Sequence, residues 1–130
     1  MKSYFEKQTK ELYDRAIKII DITQMLKSNK KREKFHISTD EDFKKDFFHI
    51  IDKVNLSLME DKENFYGYFL FQMGREIRFD ITSATSINFK EAKYVMYFNP
   101  IIFLELNMEQ MQSTIKHEIL HVLSQHLIRL

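Results

Sequence analysis

Cysteine and tryptophan are absent from this chain of 130 residues, proline occurs once and glycine twice. Without thiols there is no disulfide framework and no thiolate metal site, which fits a reducing compartment. With so few breakers, helical stretches can run long before anything stops them. An excess of one charge is missing too. Lys and Arg number 20 against 19 Asp and Glu, for a formal charge of +1, so nothing in the balance argues for nucleic acid or an anionic membrane as partner. The basic run from Lys27 to Lys34 is local and reads as a solvated helix end or loop. No apolar run approaches the roughly 18 to 20 residues that a membrane span needs. Met1 to Lys10 is too polar and charged for a signal peptide. The expectation is a cytoplasmic protein.

What is present is an apolar and aromatic set large enough for a real core, with twelve Phe and six Tyr, in a chain of one-domain length. Residues 1–27 read as a helix with a stripe of Phe5, Leu12, Ala16, Ile19, Ile20 and Leu26. Ser28 to Ile37 reads as a polar linker. Ser38, Thr39 and Asp40 are candidate N-caps for a second helix with a stripe of Phe43, Phe47, Ile50, Ile51, Val54 and Leu58. Core packing is the plain reading of all these positions. His36 and His49 stand alone in sequence and read as surface or packing residues.

Asn64 to Met73 is ambiguous: its aromatics favour a strand, while Asp61, Lys62 and Glu63 before it can open a helix. Arg75 to Ile81 and Ala92 to Phe98 nearly alternate and read as strands, with Thr82 to Glu91 as their connector. Asn99-Pro100 is punctuation, since proline disfavours helix in the residue before it and is tolerated at the first helical position. A short apolar helix, Pro100 to Leu106, leads into the last element.

That last element carries His117-Glu118-Ile119-Leu120-His121, the pattern H-E-x-x-H. A helix advances about 100° per residue, so positions four apart share a face, where two imidazoles can hold one metal ion. Glu118 falls beside such an ion and can take a proton from a zinc-bound water. The helix is well marked: Asn107 is an N-cap, Gln110 its capping-box partner, and no Gly or Pro interrupts Met108 to Leu130. Met108, Met111, Ile115, Ile119 and Val122 form one apolar face, and the His pair lies roughly 180° to 220° away from Met108. The bare pattern also fits two ordinary histidines on an amphipathic helix, so its context decides.

Tyr97-Phe98-Asn99-Pro100, the His117 to His126 run and Arg129 together resemble the zincin-like metallopeptidase domain found ahead of a von Willebrand factor A-type domain in bacterial proteins. The likeness covers roughly Phe65 to Arg129. It implies a compact zincin-like α+β fold with N-terminal helices, a sheet of two or three strands and a C-terminal helix carrying H-E-x-x-H. It also implies that Asn64 to Gln72 is helical. Zn²⁺ would be the cofactor, His117 and His121 its ligands, Glu118 the general base and His126 a further functional residue. A von Willebrand-type domain and a partner ATPase are the implied associates. The chain would then be one domain over 1–130, helical over 1–60 with the sheet and His helix over 61–130, and a piece of a longer protein. The Asp-Gly turn that the family often has between two strands is missing here.

Catalytic zinc normally has three protein ligands and one open position. On an unbroken helix His126 falls roughly 180° from His117, so it reaches the same ion only if the helix ends or distorts near Ser124. Asp80, Glu105 or a residue beyond the chain are the alternatives. The expected activity is zinc-dependent hydrolysis, most readily of a peptide bond in a peptide or protein substrate. The competing expectation is a zincin-like interaction domain without catalysis.

Overall fold

The computed structural model describes residues 4–27, 32–60, 62 and 64–126, with side chains for 4–21, 41–60, 62 and 64–124. The described residues form a mixed α/β structure of five helices and a small three-stranded sheet. No helix among them is long and apolar enough to cross a membrane.

The two N-terminal helices are α1 (Tyr4–Lys27) and α2 (Arg32–Met59). Their stripes meet: Leu12, Ala16 and Ile19 of α1 and Phe43, Phe47, Ile50, Ile51, Val54 and Leu58 of α2 are all buried in one cluster. Outside that seam, Arg15 pairs with Asp46 at 2.7 Å, and the Lys53 ammonium donates to Gln8. The expected linker is shorter than the sequence implies. Residues from Arg32 to Ile37 are already helical, and Ser38, Thr39 and Asp40 lie inside α2 rather than capping it. Arg, Glu and Lys at its start are strong helix formers, and no Gly or Pro stands there to stop the helix. Ser28 to Lys31 and the side chains of Leu26 and His36 lie outside the described residues, while His49 is exposed on α2.

Asn64 to Gln72 resolves to a helix, α3 (Phe65–Gln72), in which the Asn64 carbonyl accepts from Gly67 and Tyr68 in place of a side-chain cap. Asp61 and Glu63, the acidic residues of its expected start, lie outside the described residues. Gly67 allows α3 to lie against α2: a Cβ there would meet Met59 Cγ at 2.6 Å and the Asn55 carbonyl oxygen at 3.1 Å.

The sheet is β1 (Gly74–Ile77), β2 (Thr85–Lys90) and β3 (Lys93–Phe98), in the order β1-β3-β2. β1 runs parallel to β3 and β2 antiparallel to it, with Thr85 opposite Phe98 and Lys90 opposite Lys93. β2 lies where a connector was expected. Ile87 and Phe89 do alternate with Ser86, Asn88 and Lys90, but two apolar residues are a short signal, and only Thr85 of the six is buried. β1 is shorter than the expected Arg75 to Ile81. After Arg78 donates to the Phe98 carbonyl at 2.9 Å, β3 ends and offers no further backbone partner.

Because β1 and β3 end together and β2 starts beside them, the 78–84 loop must step over the end of β3. Asn99 ties it down. Its Nδ2 donates to the Phe79 and Ile81 carbonyls at 3.3 and 2.9 Å, and its backbone N–H donates to the Ala84 carbonyl at 3.0 Å. Asn99 Oδ1 also accepts from Ile101 N at 3.1 Å, capping α4 (Pro100–Phe103), which stops short of the expected Leu106. The β2–β3 turn holds Glu91 and Ala92 at φ 53° and 62°, a left-handed conformation that suits Asn-Gly better than these residues.

The core gathers around aromatic rings. Phe47 packs on Phe43 at 6.0 Å between centroids, on Phe98 at 5.9 Å and on Phe103 at 6.0 Å, while Phe98 meets Phe103 edge to face at 5.3 Å. All four rings are at most 2% exposed, and burying each contributes about 1.5–3 kcal/mol. α5 (Met108–His126) closes the same core with Met111, Ile115 and Ile119, each fully buried.

Candidate active site

The site grows from how α5 is started and turned. Asn107 Oδ1 accepts from Gln110 N at 2.8 Å, and Gln110 Oε1 accepts from Asn107 N at 2.9 Å, the reciprocal capping box expected from the sequence. Met111, Ile115, Ile119 and Val122 then face the core, and Met108 is half-buried at its margin. With that face committed, His117 and His121 project from the other side, and both are exposed.

Glu118 lies between the two regimes and is half-buried. It lines a cleft of ≈ 490 Å³ with His117, Ser113 and Thr114 of α5 and with Ser83, Ala84 and Thr85 at the start of β2. Burial pushes the Glu118 carboxyl up from its ordinary value, while the His117 and His121 imidazoles and the Thr85 hydroxyl pull the other way. Thr85 approaches the carboxylate without completing a bond. Its Oγ1 is buried and has no partner at hydrogen-bonding geometry among the described residues.

The structure thus brings His117, Glu118 and His121 onto one side of α5, with the first two in the cleft. It does not bring His126 to them. α5 is continuous through Ser124 to His126, so that residue's backbone sits about half a turn round the helix from His117, and its side chain lies outside the described residues. The acidic alternatives are engaged elsewhere. Asp80 takes two bonds from Arg78, at 2.9 and 2.5 Å, which hold its carboxyl below the usual range. Glu105 stands by Tyr13 of α1, whose hydroxyl is pushed up by burial first and by Glu105 second. Neither lines the cleft. Among the described residues no group of three His, Cys, Asp or Glu is placed to hold a metal ion. Two imidazoles one helical turn apart are suitable donors for Zn²⁺, and they make two-thirds of the usual protein set.

Thr85, Ser83, Ser113 and Thr114 went unread in the sequence. Ser113 and Thr114 could have been found, since they precede His117 by four and three positions and so share its side of the helix. Thr85 could not, because its place depends on the loop that Asn99 anchors. The chain matches no protein-family model, no curated protein and no solved structure.

Proposed function

We propose that the chain is a zinc-dependent hydrolase acting on peptide bonds, with a zincin-like arrangement of helix and edge strand. The observation that carries this reading is the side of α5 on which two exposed imidazoles stand next to a half-buried carboxyl, its pKa raised by burial, beside an open cleft. His117 and His121 would hold the ion, and a ligand from outside the described side chains would complete its protein set. Zinc, when bound, supplies an acidified water and polarises a carbonyl. Glu118 is the proton acceptor of this chain: a carboxyl with a raised pKa takes up a proton more readily and returns it to a leaving nitrogen. β2 has a strand partner on one side only, so its backbone is available to align an extended peptide beside the cleft.

The test is metal content and proteolysis on the purified chain. One zinc per chain, casein cleavage, and retention of zinc with loss of cleavage in Glu118→Gln are expected. A folded protein that takes up no zinc overturns the proposal.

A second reading has its own support. Phe65, Tyr68 and Phe71 make an exposed row on α3, at 47%, 56% and 75%, which suits an interaction domain serving an assembly, with the von Willebrand-type domain and ATPase of the resemblance as associates. Cytoplasmic placement is common to both readings. Loss of assembly on mutating this row, without zinc or cleavage, would favour it.

A further inference from the structure

Among the described residues that line the cleft, Thr85 carries a buried side-chain oxygen with no hydrogen-bond partner. The residue is 1% exposed, and Oγ1 is sealed from solvent without a hydrogen-bond partner among the described residues. Leaving a buried hydroxyl unpaired is destabilising. Its position is nevertheless tightly set. Thr85 opposes Phe98 in the sheet, its carbonyl accepts from Ser83 Oγ at 2.8 Å, and the preceding Ala84 carbonyl accepts from Asn99 N. A β-branched side chain on a fixed strand has little freedom to seek a partner.

Across the cleft, Glu118 is its counterpart: a half-buried carboxyl on a flexible stem, lining the same space. A turn of that stem that brought the carboxylate to Oγ1 would complete an O–H···O⁻ bond, which is stronger than a neutral one. Catalytic hydrogen bonds are often long in ligand-free sites and tighten in use.

We infer that Thr85 is a positioning residue that seats the Glu118 carboxylate against β2 and so fixes its distance from the His pair. The inference rests on the hydrolase reading for its purpose, and on the cleft geometry alone for the contact. Ser113 and Thr114 move with Glu118 on the same helix, whereas Thr85 belongs to the sheet. The seat therefore also sets how far α5 stands from the edge strand.

The contact is read first without metal or substrate. Urea midpoints are compared for the wild type, Thr85→Val, Thr85→Ser, Glu118→Ala and the Thr85→Val/Glu118→Ala double variant, all zinc-free. Valine nearly keeps the shape and removes the hydroxyl. If the seat exists, Thr85→Val lowers the midpoint, the effect vanishes in the Glu118→Ala background, and Thr85→Ser behaves as wild type. An idle hydroxyl gives the opposite sign, because deleting an unpaired buried group stabilises; a raised midpoint, or equal shifts in both backgrounds, overturns the inference. The second readout is cleavage of fluorescein-labelled casein by the zinc-loaded protein. Thr85→Val should lower kcat about tenfold with KM little changed, and Thr85→Ser should restore it; wild-type kcat in Thr85→Val refutes the positioning role. Coupling in urea with no cleavage by the wild type upholds the seat and sinks the hydrolase reading instead.

Discussion

Asn107 and Gln110 exchange two hydrogen bonds across the first turn of α5, at 2.8 and 2.9 Å. The exchange fixes where the helix begins, while the spacing of its apolar residues decides which side meets the core and which meets the cleft. Asn107→Ala should cost about 1 kcal/mol, the usual value of a lost N-cap, measured by urea unfolding. Because the buried Met111–Ile115–Ile119 face holds α5 in place independently, zinc affinity should change little; a large loss of affinity would mean that the cap, not the core, sets the helix.

His117 is exposed, so it contributes little packing. For the metal-free protein His117→Ala should leave stability within about 0.5 kcal/mol of wild type. With zinc at a hundred times its Kd the wild type should gain about 2.7 kcal/mol and the variant nothing. Thermal melts with and without zinc read the difference, and an equal zinc response in both would remove His117 from the ligand set.

Glu118 yields a pH prediction of definite sign. Burial raises its pKa in the folded chain, so the native state holds the proton more tightly than the unfolded state does. The stability linked to that proton is fully present below the ordinary glutamate value and is lost as pH rises through the raised one. In zinc-free protein Glu118→Gln should therefore be more stable than wild type at neutral pH, with the gap closing in acid. A gap that is constant from pH 3 to pH 8 would contradict it.

Asn99 satisfies the loop that crosses the end of β3, and it is 5% exposed. Asn99→Asp keeps the shape but replaces the donor to the Phe79 and Ile81 carbonyls with an acceptor. The loss should be about 2–3 kcal/mol by urea unfolding, together with faster hydrogen exchange over the 78–85 loop. A neutral result would show that the loop is anchored by backbone alone.

At the β2–β3 turn the reverse is expected. Ala92 is held at φ 62°, where a Cβ is unfavourable and glycine is not. Ala92→Gly should stabilise by about 0.5–1 kcal/mol after allowing for the extra freedom of the unfolded chain. A destabilised variant would place the turn in another conformation.

The legible parts of this molecule are those governed by local pattern. The core faces of α2 and α5 and the Asn107–Gln110 box follow from spacing alone, and so does the exposure of His117 opposite Ile115 and Ile119. β2 escaped because its alternation rests on Ile87 and Phe89 alone, a short signal that pairing with β3 turns into a strand. Thr85 escaped with it. Half of the cleft is thus written in one helix, and the other half depends on a sheet order, β1-β3-β2, that no single stretch of chain encodes.

The ring cluster has a consequence for how the protein must be made. Phe43 and Phe47 wait for Phe98 and Phe103, about fifty residues further along. At about 5–20 residues per second, a ribosome delivers those partners roughly three to ten seconds later. During that interval the nascent helical pair shows unsated aromatic surface, which is where a chaperone would hold it. A chain halted before Lys93 would be a sticky intermediate rather than a usable module.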